Sequence, residues 1–465
     1  MTSTSLSLSI DWAGFAARGA GPKGVFLGAG VRHHLVERLA ELAPRRIAVL
    51  TDGTAIASPE GDLKSWVVEQ VGALGVPIDR VTLPGGTTAD EAAVDAATEG
   101  CRDADVVVTV GSGTISDLGK VAAGHRPHLI VQTAASVNGY ADDESVLLRN
   151  GVKRTAHSAY ADSLFVDTEI IALAPPVLNR SGLGDMISMF TAPADWYLAN
   201  QLGMDDHWSL EAALLARRYG SGMLAAARGI GASAPEDLEL LTNLLTLSGI
   251  SMGLAGQTSP SSGMEHTVSH MIDMWAGAHH LEHHLHGAQV GVTTLWASLL
   301  WQRVVARLDA GELTELTPLP EADAERLVRS VFARIDPSGH SGQECWNDYR
   351  LKLERMRSEE FGSRFAEFVR RWPEHRAFLV GDCLADPAEI ADALRTAGAP
   401  AGAGDLDGGD REPTIWALSH NHLMRNRFNV CDLAFAAGLW NEEVARELVV
   451  QADELAAGRP AQDAS

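Results

Sequence analysis

The chain has 465 residues, 46% of them hydrophobic and 21% charged, which is length for two domains and enough apolar side chains for a sizeable core. Its 37 basic and 61 acidic residues give a formal charge of −24, which argues against nucleic acid or an anionic membrane as the main partner, because phosphate backbones need a basic face. An anionic small molecule stays open, since one local pocket can oppose the global field.

The N-terminal "MTSTSLSLSIDWAGFAARGAGPKG" has neither a basic start nor an apolar stretch of the kind that opens a secretory signal. No apolar run approaches the roughly 20 residues needed to span a bilayer. Cys101, Cys345, Cys383 and Cys431 are far apart with no CxxC pair, which reads as small buried hydrophobes or free thiols rather than a disulfide framework. A cytoplasmic protein is expected.

The first third alternates strand-like and helix-like pieces. "KGVFLGAG" (Lys23–Gly30) is a short apolar run ending in glycine, "RLAELAP" has helical spacing, and "RRIAVLTDGT" (Arg45–Thr54) is a buried strand running into a turn. "LKSWVVEQVGAL" is helical, "DRVTLPGG" is a strand with a glycine turn, and "TADEAAVDAATEGCRDA" is an Ala-rich helix with acidic first turns. "DVVVTVGSGTISDLGKVAA" (Asp105–Ala123) reads strand, glycine turn, helix, and "HLIVQTAAS" is a further strand. Apolar strands separated by helices predict a parallel sheet covered on both faces. After "FVDTEIIALAPP" strand patterns nearly vanish and long helical ones take over, among them "PEDLELLTNLLTLSGISMGLAG". The expected architecture is an α/β nucleotide-binding domain over residues 1–174 and an all-helical domain over 175–465, a pair that usually encloses a cleft.

Two features carry chemistry. Gly111-Ser112-Gly113-Thr114 sits between a hydrophobic strand and a helix, where a bare backbone and free helix N–H groups suit a phosphate or pyrophosphate. Asp52 ends a strand, where an acidic residue often bonds an adenosine ribose and favours NAD over NADP. The spacing is not the G-x-G-x-x-G of a standard Rossmann first turn. The second feature is "SGMEHTVSHMIDMWAGAHHLEHHLHGAQVG", which holds seven of the seventeen histidines. His266 and His270 are four apart and share a helical face, as do the rival pair His280 and His284 if that stretch is helical. Zinc, iron and nickel take imidazole and carboxylate together, and Asp185 in "SGLGDMISMF" is a candidate carboxylate. "HHLEHH" itself reads as a solvated helix or loop.

"VGSGTISDLGK", "VQTAASVNGYADD", "NGVKRT", "LAPPVLNRSGLGDMISMFTAPADWYLA", "SGMEHTVSH", "HGAQVGV" and "RNRFNVCDLA" occur in this order, within a likeness that runs from about Gly24 to Leu433. Together they resemble the sn-glycerol-1-phosphate dehydrogenases, of the superfamily that includes iron-containing alcohol dehydrogenases, glycerol dehydrogenase and dehydroquinate synthase. The resemblance implies a dehydroquinate-synthase-like fold with a Rossmann-like first domain, NAD or NADP, and one divalent metal, zinc or nickel with iron ranked below them. It implies Asp185, His266 and His286 as metal ligands, and Gly111, Ser112, Gly113, Thr114 and Asp117 at the cofactor phosphates. It implies Asp52 at the adenosine ribose and Thr133 and Ser136 beside the nicotinamide. His270, Asn138 and Lys153 are its catalytic candidates. It also implies a small-molecule substrate and a homodimer or larger homo-oligomer.

The chain departs from the family at four positions: Asn138 for the usual Asp, Met189 where Lys or Asn is common, Ser259 for Arg, and Ala288 for Glu. Loss of cationic groups makes a phosphorylated substrate doubtful, because phosphate is usually held by Arg or Lys. The expectation is an NAD(P)H-linked oxidoreductase interconverting a small polyol, or its phosphate, with the ketone. The alternatives are a superfamily cyclase or lyase using bound NAD catalytically, a related dehydrogenase of a non-phosphorylated substrate, and an inactive metal- or nucleotide-binding homologue. Asp185, where the cyclase branch usually has Glu, argues against the first of these. Retention of the whole ligand set argues against the last.

Overall fold

A computed structural model describes residues 9–149, 152–407 and 411–458. Six strands form the main sheet: β1 (Gly24–Gly28), β2 (Ile47–Asp52), β3 (Ile78–Leu83), β4 (Val106–Gly111), β5 (His128–Gln132) and β6 (Ser163–Asp167). Their order is β1-β6-β5-β4-β2-β3, and every neighbouring pair is parallel. Successive residues of a strand face opposite sides, and both sides of this sheet are buried. Ile47, Val49, Val106 and Val108 pack with Leu63, Val67 and Val71 of helix α1 (Leu63–Gly72). Ala48, Leu50 and Val107 pack on the other face with Ile115, Leu118 and Ala122 of helix α2 (Gly113–Ala123). Near-continuous apolar runs such as "VVVTV" are the sequence mark of strands covered in this way. The expected fold class of parallel α/β sheet plus a largely helical remainder is the one observed.

The division of the chain differs from the expected cut at residue 175. One compact unit is Met1–Met186 with Tyr219–Gly256, and the other is Ile187–Arg218 with Gln257–Ser465. Helix α3 (Pro176–Ile187) belongs almost wholly to the first unit. The 21-residue helix Pro235–Ala255 also returns to it, packing on helix Thr168–Leu173 and on β1. That helix is long and apolar enough, by length and composition, to cross a membrane, but 72% of its most apolar window is buried against protein. The antiparallel hairpin Glu144–Arg149 with Val152–His157 also went unread in the sequence, because its strands carry mixed polar residues without clean alternation. All four cysteines are buried and none is in a disulfide.

The second unit is helical. Its framework includes α4 (Met264–Ala278) and α5 (His286–Asp309), which pack on each other. Residues 279–285 between them are non-helical and exposed.

Candidate functional site

The glycine turn forms at the carboxyl end of β4. Ser112 is extended (φ −79°, ψ −176°) and its side chain makes no capping bond to α2. The Ser116 N–H bonds Ser112 O at 2.9 Å, so the N–H groups of Gly113, Thr114 and Ile115 precede the first intrahelical bond, the position at which a helix N-terminus receives an anion. A Cβ at Gly113 would lie 3.0 Å from Val137 Cγ2. At Gly119 a Cβ would strike Thr109 Oγ1, which instead bonds His128 Nε2 at 2.6 Å, so this glycine brings α2 down onto the sheet. Leu50 pairs with Thr109, so Asp52 and Gly111, two residues further on, end side by side.

Asp117 faces away from the turn. Its Oδ2 accepts from Val146 N–H at 3.1 Å and it lies 3.8 Å from Lys120. Burial raises its pKa to about 7, against the lowering effect of Lys120. Thr133 and Ser136 are buried just beyond β5. The Asn138 N–H donates to Asp185 Oδ2 at 2.9 Å, while its side chain donates to Ser248 Oγ at 3.0 Å. The backbone of Asn138, rather than its amide group, is therefore what meets Asp185. Lys153 falls in the strand Val152–His157, and its side chain lies outside the described residues.

Asp185, in the last turn of α3, is buried. Asp185 belongs to the first unit, and His266 and His286 lie together in the second with ring centroids 5.2 Å apart. Hydrogen bonds decide what each imidazole presents. His266 Nδ1 bonds Glu265 Oε1 at 3.0 Å, and a carboxylate only accepts, so Nδ1 carries a proton and the lone pair of the neutral ring is on Nε2. The Ser269 hydroxyl gives its hydrogen to Gln289 Oε1 at 2.7 Å and so accepts from His286 Nδ1 at 3.3 Å, which puts the lone pair of the neutral His286 ring on Nε2 as well. Gln289 Nε2 in turn donates to Asp273 Oδ1 at 3.1 Å. His270 is the opposite case. Arg425 Nη2 donates to its Nδ1, so its proton lies on Nε2. Two imidazoles thus present lone pairs and the third presents an N–H. By residue type, one carboxylate and two imidazoles are a donor set that fits a borderline divalent cation.

His280 and His284 do not form a rival helical pair, because residues 279–285 are irregular and His280 has φ +54°. The i, i+4 spacing has no shared face without a helix. His279 stacks on Trp275, and His283 bonds Asp273 at 3.1 Å. Met189, Ser259 and Ala288 are all buried.

Glu265, Ser269, Gln289 and Arg425 were not singled out as site residues from the sequence. Glu265 stands beside a candidate ligand, and Arg425 lies inside the quoted "RNRFNVCDLA", so both were on view; only folding shows which histidine each one touches.

Residues 26–175 match a family model described as iron-containing alcohol dehydrogenase. The glycerol-1-phosphate dehydrogenase [NAD(P)+] of Methanothermobacter thermautotrophicus is 32% identical over 299 residues, 62% of this chain and 83% of that enzyme. The chain belongs to the glycerol-1-phosphate dehydrogenase family. The family member from Bacillus licheniformis is 31% identical over 258 residues, 55% of this chain, and the chain spans 61% of that enzyme's length. The fold agrees with the crystal structure of a probable glycerol dehydrogenase from Sinorhizobium meliloti at TM-score 0.57 and 16% identity, covering 94% of this chain and 98% of that one.

Proposed function

We propose that the protein interconverts a small polyol phosphate and its ketone, with NAD(P) and one divalent cation held by Asp185, His266 and His286. The observation that carries this reading is the division of labour among the three histidines: the Nδ1–H groups of His266 and His286 are held by Glu265 and Ser269, while Arg425 puts the proton of His270 on Nε2. Bound in these places, the cation supplies Lewis acidity at the substrate oxygen and the dinucleotide gives or takes the hydride.

The chain's own groups do the rest. Gly111, Ser112, Gly113 and Thr114 receive the pyrophosphate on uncapped N–H groups, and Asp52 stands at the adenosine ribose. The segment carrying Thr133 and Ser136 is tied to Asp185 through the Asn138 N–H. His270 Nε2 holds the proton that an alkoxide needs on reduction, and Arg425 fixes it on that atom. Arg425 also answers the loss of Arg at position 259, since it brings a guanidinium to His270 where an anionic substrate group can be held.

A second reading is a non-phosphorylated polyol. It is favoured by buried, uncharged Met189 and Ser259, at positions where the family resemblance implies Lys or Asn and Arg respectively. Steady-state kinetics with matched substrates, glycerol 1-phosphate against glycerol and dihydroxyacetone phosphate against dihydroxyacetone, separates the two. A kcat/KM advantage for the phosphorylated partner supports the first reading, and a reversed preference supports the second. A homodimer or larger assembly in a reducing, cytoplasmic setting completes the proposal, with light scattering as its test.

A further inference from the structure

We propose that Lys64 is a specificity-determining residue at the adenosine-ribose end of the site: by neutralising the Asp52 carboxylate it removes the repulsion that would otherwise select against a 2′-phosphate. This rests on reading the glycine turn as the dinucleotide site.

An acidic residue at the end of a strand beside such a turn selects NAD in two ways. It accepts bonds from the ribose hydroxyls, and its charge repels the 2′-phosphate of NADP. Asp52 is in the right place, side by side with Gly111, but both of its means are already engaged. Its Oδ1 accepts from Lys64 Nζ at 2.5 Å and from Thr54 N–H at 3.2 Å, and its Oδ2 accepts from Thr54 Oγ1 at 2.7 Å. A carboxylate has about four acceptor positions, so roughly one is left for a ribose hydroxyl.

The charge is cancelled by a fixed partner. Lys64 Nζ also donates to Asp52 O at 2.6 Å and to Thr54 O at 2.5 Å, which uses all three ammonium hydrogens. Both side chains are only 13% exposed, so this is not a solvated pair that water pulls apart. Burial works to raise the Asp52 pKa, yet the bonds from Lys64 and Thr54 hold it below the ordinary carboxylate range, and the pair is ionised. Lys64 sits in the first turn of α1, where the helix dipole disfavours a cation, and Asp52 is what holds it there. Asp62, whose charge also acts on Lys64, is turned to cap that helix on the Ser65 N–H at 2.8 Å.

The test is isothermal titration of NAD and of NADP into the full chain, as wild type, Lys64→Gln and Lys64→Arg, with circular dichroism to check folding. Wild type is expected to bind both nucleotides with Kd values within about tenfold of each other. Lys64→Gln exposes the Asp52 charge and weakens NADP relative to NAD by about tenfold or more. Lys64→Arg keeps the wild-type ratio. Wild type that binds NAD and rejects NADP overturns the proposal even if the variants do not fold, and so does a Lys64→Gln protein that loses both nucleotides equally. Failure of wild type to bind either nucleotide overturns the dinucleotide-site reading and the proposal with it.

Discussion

Glu265→Gln should loosen the metal without unfolding the protein. Glu265 is fully buried and its carboxylate accepts three hydrogen bonds: from Gly263 N–H at 2.5 Å, from His266 Nδ1 at 3.0 Å and from Thr191 Oγ1 at 2.9 Å. Gln keeps the shape. Its carbonyl oxygen can still take the bonds from Gly263 and His266, and its amide can turn to Thr191, whose hydroxyl also accepts. What is lost is the charge that makes the bond to His266 strong and raises the basicity of His266 Nε2. Removing such a partner costs about 10- to 100-fold in metal affinity, or about 1.4–2.8 kcal/mol. Glu265→Leu, by contrast, leaves three buried donors without acceptors at about 1–3 kcal/mol each and should destabilise the unit. The assay is competition for zinc against a chromophoric chelator, with thermal melting of the metal-free proteins as a control. Zinc affinity of Glu265→Gln equal to wild type would refute the idea that this carboxylate orients and charges His266.

Arg425→Met should raise KM for a phosphorylated substrate about 10- to 100-fold while leaving an unphosphorylated polyol nearly unaffected, and an equal effect on both would place Arg425 outside anion recognition. Gly113→Val puts a side chain against Val137 and over the start of α2, so nucleotide binding by calorimetry should fall while metal content stays at wild-type level. Stability should also depend on pH through His128, which is buried against Thr109 and pushed down to about 3, chiefly by burial and then by Lys120. Its folded pKa lies below the ordinary 6.5, so its contribution is fully present above pH 6.5 and is lost as pH falls toward 3. Between pH 7 and 5 that share is about 2 kcal/mol, and His128→Gln should lose less urea resistance over this interval than wild type does.

The parallel sheet was legible because strands such as Val106–Gly111 are apolar on both faces and end in glycine turns. Asp185, His266 and His286 could be proposed as ligands from the sequence because motifs carry them and because the donor types match one kind of ion. What the sequence hid is relational. Lys64 stands twelve residues from Asp52, across a turn and at the start of a helix, and nothing in its spacing marks it as the partner of that carboxylate. Arg425 reaches His270 from 155 residues away. The tautomers of His266 and His286 depend on Glu265, Ser269 and Gln289, whose side chains are set only by the packing of α4 on α5. The densest histidine stretch was the least informative, since residues 279–285 form an exposed irregular link. The domain cut at 175 missed because helix Pro235–Ala255 returns to the first unit after an excursion through Ile187–Arg218, and local composition carries no sign of that return.

The central claim, metal-dependent and nicotinamide-linked reduction of a small ketone, is tested most directly by absorbance at 340 nm. Zinc- or nickel-loaded protein is mixed with NADH or NADPH and dihydroxyacetone phosphate, before and after removal of the metal by chelation. The account predicts a fall in absorbance with loaded protein, its disappearance on chelation and its return on readdition of the metal. An unchanged absorbance with loaded protein that binds nucleotide, or a rate indifferent to chelation, would contradict it.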